Sequence, residues 1–166
     1  MKKFDVPAQV IVMCGISGSG KTHSARQFEE EGYVRLSTDA LIWNKMGPNL
    51  NNLSKEEQRI IFAQCNKEIR KELIDFIKSG KKIVVDATHC KRSVRDEIRR
   101  ICEDEEIKPV FLYCSAPKDE LLRRLAERKG SGPDDLIVTE EEFQDYWIGF
   151  ERPQEDETDI IFCNTD

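Results

Sequence analysis

The sequence predicts an α/β domain in which helices cover both faces of a parallel sheet. Two observations carry that reading. Short apolar runs rich in β-branched residues alternate along the chain with longer stretches of helical period. One run, Val10 to Cys14, leads straight into Gly15-Ile16-Ser17-Gly18-Ser19-Gly20-Lys21-Thr22, which fits G-x-x-x-x-G-K-[ST], and a helical stretch follows. At ordinary residue frequencies that pattern arises by chance in roughly one chain of this length in 150. Coincidence is therefore set aside, and the expected architecture is a three-layer P-loop NTPase fold.

The elements follow in order. Val10 to Cys14 is a buried strand, and Thr22 to Glu31 is a helix stopped by Gly32. Tyr33 to Ser37 forms a second strand that ends at Thr38-Asp39. Gly47 to Asn52 is a loop by composition. Ser54, with acidic residues behind it, caps a helix that runs to Ser79, with Ile61, Cys65, Ile69, Leu73 and Phe76 at helical spacing. Lys81 to Thr88 is a third strand ending in polar residues. A charged helix from Ser93 to Glu106 turns Val94, Ile98, Ile101 and Cys102 inward. Pro109 to Ser115 is a fourth strand, and Pro117 opens the next helix at its first turn, with a Leu121, Leu122, Leu125 stripe. Lys129 to Asp135 reads as a mobile loop. Thr139 with Glu142 is a capping box for a helix to about Phe150, and Asp159 to Cys163 is the last strand.

Composition narrows the setting. The chain has 166 residues and a net charge of −6, which argues against a protein that coats nucleic acid and leaves room for a local basic groove. Six cysteines form no CxxC pair and only two histidines are present, so a zinc site is not expected. The opening MKKFDVPAQ holds no apolar signal core, and no apolar run reaches membrane length. The expectation is one domain, residues 1–166, in a reducing cytosol, without a membrane partner.

In such sheets ligands bind at the carboxyl ends of the strands. Gly15, Gly18 and Gly20 let the loop fold back with its N–H groups inward, facing the positive end of the helix. Gly15, Ser17, Gly18, Ser19, Gly20, Lys21, Thr22 and His23 are thus the candidate phosphate-binding residues. Lys21 is placed to reach the β- and γ-phosphates and the Thr22 hydroxyl to hold Mg²⁺. Asp39, after the second strand, suits the base that accepts a hydroxyl proton; the alternative is a helix N-cap ahead of Ala40-Leu41-Ile42. Asp86, ending the third strand, suits a carboxylate that orients Mg²⁺ water; the alternative is a turn residue. Arg124 and Arg128, four apart on one helix face, suit arginines that close over the γ-phosphate, against a solvated basic face. His89 reads as an acceptor-positioning or loop residue. Arg92 and Arg95 either bind an acceptor phosphate or pair with Asp96 and Glu97.

With those residues in view, the chain resembles the P-loop kinases related to polynucleotide 5′-hydroxyl kinases, zeta toxins and chloramphenicol phosphotransferases. The resemblance spans nearly the whole length through GISGSGKT, RLSTD, VVDATHCKRSVRDEI, ELLRRLAERKG and TEEEFQDYWIGFERPQEDE. It implies a five-stranded parallel sheet in the order 2-3-1-4-5, with a small lid at about 128–139. It also implies ATP with Mg²⁺, transfer to a hydroxyl, Asp39 as base, Asp86 as its supporting carboxylate, and Arg124 and Arg128 as lid arginines. One departure bears on the acceptor: polynucleotide kinases carry an Arg three residues after the base, where this chain has Ile42 followed by Trp43. RLSTDALIW is closer to a bacterial group of uncharacterised ATP-binding proteins. The expectation is therefore a kinase for a small hydroxyl acceptor, with the rim Leu41 to Trp43 and with His89 and Arg92 orienting it. A polynucleotide 5′-hydroxyl kinase is the alternative. A nucleotide-dependent switch or ATPase is weaker, because Asn44-Lys45-Met46-Gly47 lacks the Asp of a guanine-reading element.

Overall fold

The computed structural model describes residues 6–165. Met1 to Asp5, on which the expected lack of a signal core largely bears, and Asp166 lie outside the described residues. Five strands, β1 (Val10–Cys14), β2 (Val34–Ser37), β3 (Ile83–Asp86), β4 (Val110–Ser115) and β5 (Ile160–Asn164), pair in parallel in the order 2-3-1-4-5. Helices α1 (Lys21–Glu30), α2 (Thr38–Met46), α3 (Lys55–Lys78), α4 (Arg92–Asp104), α5 (Lys118–Ala126) and α6 (Glu140–Gly149) complete the layers.

β1 is the centre of the sheet because every one of its side chains is apolar and finds cover on one face or the other. Val10 and Val12 pack with Ile69 and Leu73 of α3 and Ile98 of α4. Ile11 and Met13, pointing the opposite way, pack with Ala25 and Phe28 of α1. All five residues are fully buried, and each large side chain contributes roughly 1.5–3 kcal/mol by leaving water. The capping boxes at Ser54–Glu57 and Thr139–Glu142 start α3 and α6 where the sequence puts them.

Three stretches differ from expectation. α2 begins directly after β2, and its cap is Ser37, whose Oγ accepts from Ala40 N at 3.1 Å. Asp39 thus stands in the first turn and is not the cap. Gly47 to Asn52 is a 3₁₀ turn that buries Leu50 against Ile42 and Cys65. Ile42 is fully buried there, so it forms no part of an acceptor rim, and half-buried Leu41 packs beside it. Lys129 to Asp135, expected as a plain loop, contains the 3₁₀ turn Pro133–Asp135 and carries hydrogen bonds of its own. The Asp135 carboxylate accepts from Lys129 N and Ser131 N, each at 3.1 Å, and from Ser131 Oγ at 2.8 Å.

The largest surprise is Arg95, which is fully buried on the inner face of α4. Its Nε and Nη2 meet both Glu157 oxygens at 2.7 and 3.0 Å, a bidentate pair. Nη1 donates to His89 O at 3.0 Å and Glu151 O at 2.9 Å. Arg99 joins Glu157 and Asp159, while Arg92 pairs with Asp96 and Asp156. Arg95 is therefore not available to an acceptor phosphate, whereas partly exposed Arg92 is engaged by surface carboxylates; both fasten the polar connection 151–157. Burial works against the Glu157 charge, yet Arg95, the Gln154 N–H and Arg99 outweigh it and hold the carboxyl down at about 2. A depressed carboxyl stabilises the fold in full above its unfolded value of 4.5 and loses that contribution as pH falls toward 2. Glu157→Ala leaves a buried guanidinium uncompensated and should cost about 3–5 kcal/mol at pH 7. Urea denaturation at pH 7, 4 and 2.5 checks both statements: the wild-type advantage over Glu157→Ala shrinks as pH drops below 4.5.

Candidate active site

The site grows from a close backbone approach at the end of β1. Gly15 has φ +149°, and a Cβ there would lie 2.5 Å from Cys114 O, so only glycine fits. Its N–H donates to Thr88 O at 3.1 Å. His89 Nδ1–H donates to Met13 O at 2.6 Å, a tautomer assigned from its carbonyl partners. These contacts bring the loop after β3 against the start of the glycine loop. Gly20, at φ +93°, then opens α1 from its N-cap position.

A cavity of about 730 Å³ lies over the loop. Ser17, Gly18, Gly20, Lys21, Thr22 and His23 line it, as do Asp39, Asp86, Arg124 and Arg128. The sequence-predicted residues are thus brought together, with two exceptions. Gly15 stands behind the loop as a hinge of the backbone. Ser19 is fully buried, its N–H closes the loop on Ile16 O at 3.1 Å, and its hydroxyl has no hydrogen-bond partner among the described residues. Lys21 Nζ donates to Ile16 O at 2.9 Å. Burial lowers its pKa, with Asp86 and Asp39 pulling the other way.

Thr22 Oγ1 donates to Asp86 Oδ2 at 3.0 Å. No group of three or more acidic, His or Cys side chains able to cage a metal occurs among the described residues. Mg²⁺ does not need one, because it keeps several waters and is held by one or two oxygen ligands together with phosphates. The Thr22–Asp86 oxygen pair at the loop fits that donor set. Asp86 also receives Arg35 Nε at 3.0 Å, which suits it to holding water or the Thr22 hydroxyl.

Asp39 lies at the mouth of the crevice and is still open to water. Partial withdrawal from solvent raises its pKa; Lys21 opposes this, Asp86 adds to it, and Arg128 opposes it. Arg124 reaches from α5 onto the loop, donating to Gly18 O and Thr165 Oγ1 at 3.1 Å each, and it also contacts Thr165 O. Arg128 lies beyond the end of α5 at Ala126, so the two arginines do not share one helix face as expected; it donates to Leu136 O at 3.1 Å. A second cavity of about 520 Å³ adjoins the first, lined by Trp43, Phe62, Leu136, Ile137, Tyr146 and others. Ser17, Asp39, Phe62, Thr88, Cys90 and Arg128 line both.

Sequence reasoning missed Arg35, Asp134, Phe62 and Thr165, all at or beside the first cavity. Thr165 Oγ1 donates to Ser19 O at 2.7 Å and so props the loop from the end of β5. Arg35 carried a usable signal: a charge inside an apolar strand needs a buried partner. Thr165 and Phe62 carried none.

A sequence-family profile described as AAA domain matches residues 10–153. The chain belongs to this family. No curated protein matches it significantly. Among solved structures, a sugar kinase from Janibacter sp. HTCC2649 superposes with TM-score 0.70 at 20% identity, covering 95% of this chain and 86% of its own. A gluconokinase from Sinorhizobium meliloti 1021 gives TM-score 0.64 at 21% identity, covering 93% and 81%. A chain of the Pnkp1/Rnl/Hen1 RNA repair complex gives 0.68 at 19%, covering 84% of this chain and 43% of that one. These likenesses establish the P-loop kinase fold.

His89 offers a direct check of the geometry. Burial pushes its pKa down to about 4, against the pull of the Met13 and Ala87 carbonyls. The imidazole is therefore neutral throughout the physiological range. An NMR titration should show one histidine that does not titrate between pH 5.5 and 8 and is lost to that assignment in His89→Asn; ordinary titration near 6.5 would contradict the burial described.

Proposed function

We propose that the protein is an ATP- and Mg²⁺-dependent phosphotransferase that moves the γ-phosphate of ATP to a hydroxyl of a small acceptor. The observation that carries this reading is the meeting of two cavities at Asp39 and Arg128. One cavity holds the phosphate-loop residues, the other is free for an acceptor, and an in-line transfer needs donor and acceptor to face each other across such a junction. The kinases among the structural neighbours support the class of reaction. Residues 1–166 act in this reading as one kinase domain with a lid at about 128–139. The six free thiols suit a reducing cytosol, and no helix among the described residues is long and apolar enough to cross a membrane.

In the proposed chemistry Lys21 binds the β- and γ-phosphates. Thr22 and Asp86 would hold Mg²⁺, which would supply neutralisation of phosphate charge when bound. Asp39 accepts the proton of the attacking hydroxyl, helped by the surroundings that raise its pKa. Arg128, shared by both cavities, and Arg124, over the loop, offset charge on the transferring group. The lining of the second cavity favours a compact acceptor with an apolar or ring face against Trp43, Phe62 and Tyr146. The pairing of Arg92 and Arg95 with carboxylates removes two cations that a polyanion would need. A polynucleotide 5′-hydroxyl kinase is the second reading, favoured by Lys91 and Lys129 in the same lining, with Trp43 as a stacking surface.

Radiolabelled ATP offered with nucleosides, sugars, gluconate, aminoglycosides and 5′-hydroxyl oligonucleotides tests the proposal. Lys21→Ala should abolish transfer without unfolding the chain, and Asp39→Asn should lower kcat about 10²–10⁴-fold with ATP binding retained. Arg128→Ala should lower kcat about 10²-fold or more, and Trp43→Ala should raise the acceptor KM more than it lowers kcat. Unchanged turnover in Lys21→Ala would remove the P-loop assignment. Oligonucleotide phosphorylation with kcat/KM of about 10⁴ M⁻¹s⁻¹ or above would select the second reading.

A further inference from the structure

We infer that Arg35 is a positioning residue that ties the lid to the carboxylate beside Thr22, so that seating the lid and orienting Asp86 are one event. This rests on the reading of 128–139 as a lid and of Asp86 as the magnesium-side carboxylate. Arg35 stands on β2 with only 8% of its side chain exposed. Its Nε and Nη2 lie 3.0 and 2.9 Å from Asp86 Oδ2, the oxygen that also receives Thr22 Oγ1. The same Nη2 lies 2.9 Å from Asp134 Oδ1, in the 3₁₀ turn Pro133–Asp135. Arg26 of α1 approaches the other oxygen of Asp134, with Nε at 3.0 Å. One guanidinium therefore bridges two carboxylates from distant parts of the chain, and both carboxylates line the cavity over the loop.

The arrangement depends on a planar fork. A lysine would keep the charge but cannot present two donors in fixed directions to two carboxylates. Without the guanidinium, Asp86 and Asp134 face each other as like charges, and the segment free to move is the one carrying Asp134. Seen from the lid, the seat is already charged and oriented by Asp86. Seen from Asp86, one oxygen is spoken for by Arg35 and Thr22, which fixes the direction in which the carboxylate is presented.

Limited trypsin digestion at exposed Lys129, without nucleotide or metal, reads lid seating. Mg²⁺ titration of the binding of a fluorescent ATP analogue reads the Asp86 side, and thermal melting confirms that each variant folds. Asp134→Asn should raise the rate of cleavage at Lys129 about tenfold or more, by loss of a charged hydrogen bond that holds the segment down. Arg35→Lys should raise it similarly and also shift half-saturation by Mg²⁺ upward about tenfold, because Asp86 loses its orientation. Arg26→Gln, which loses an exposed pair, should have a smaller effect on cleavage than Arg35→Lys. Unchanged cleavage in Asp134→Asn, an unchanged Mg²⁺ midpoint in Arg35→Lys, or a larger effect from Arg26→Gln would each overturn the inference. If Arg35→Lys does not fold, Asp134→Asn against Arg26→Gln decides by the cleavage order. A wild-type chain that binds no ATP analogue at any Mg²⁺ concentration instead overturns the proposed function, and the digestion still reports on the Arg35–Asp134 contact.

Discussion

The close approach at Gly15 is the constraint on which the rest of the site depends. With Cys114 O where a Cβ would be, the end of β1 presses against β4 on one side. Its N–H fastens Thr88 beyond β3 on the other. Cys14 Sγ and Met13 O add contacts to the backbone and ring of His89. Three strand ends are thereby drawn to one point, and the loop that follows has only one direction in which to fold back. The helix N-terminus, Lys21 and Thr22 take their places from that direction, and Asp86 takes its place from the register of β3 beside β1. His89 holds a left-handed backbone, φ 47°, at the tightest part of this junction. A strained non-glycine residue persists only where its surroundings over-determine it, and here two carbonyls and Arg95 do so.

Arg95 extends that junction outward. Its guanidinium bonds to His89 O, Glu151 O and both oxygens of Glu157, so the loop after β3 and the polar stretch before β5 share one anchor. Burying a charge pair is costly, and an apolar pair of similar volume would often serve stability as well. What an apolar pair could not supply is the hydrogen bond to His89 O, in a place where a backbone carbonyl is withdrawn from water. The ionic cluster thus fixes backbone direction at the edge of the site rather than simply adding stability.

Much of this was legible from the sequence, for physical reasons. Apolar runs bounded by turn residues located all five strands, and the Ser54 N-cap and the Thr139–Glu142 capping box located α3 and α6 because their side-chain hydrogen bonds are local. The glycine loop was legible because its chemistry tolerates few substitutions. The failures share a different cause. Ser37 and Asp39 are both competent caps, and which one serves depends on where β2 stops, which only the pairing with β3 decides. Ile42 looks the same in sequence whether it faces a ligand or Leu50. Arg95 sits among charged neighbours in a helix whose period points it inward, yet its burial requires Glu157, sixty-two residues away. Arg35 and Asp134 depend on a contact across ninety-nine residues. Local signals cannot carry such pairings.

The division between legible and illegible follows which parts of the chain the sheet holds and which it does not. The cavity over the glycine loop rests on the ends of β2 and β3 and the start of α1, which the parallel sheet holds in a fixed relation. The second cavity is walled mainly by α2, the 47–52 turn, the first turns of α3, the segment 129–138 and α6, with Ser17 and the 88–91 loop on its inner side. Those pieces lie outside the sheet, so side chains on them can change without touching the strand pairing. Trp43, Phe62, Ile137 and Tyr146 can change size or polarity while Gly15, Lys21 and Asp86 stay as they are. Sheet topology therefore agrees with a sugar kinase and with a chain of an RNA repair complex at about 20% identity, an agreement that does not extend to the lining of the second cavity. Function in such a fold is decided by grafted surfaces. In this chain the second cavity sets Trp43, Phe62, Ile137 and Tyr146 among charges of both signs, with Asp39 and Arg128 where the two cavities open into each other.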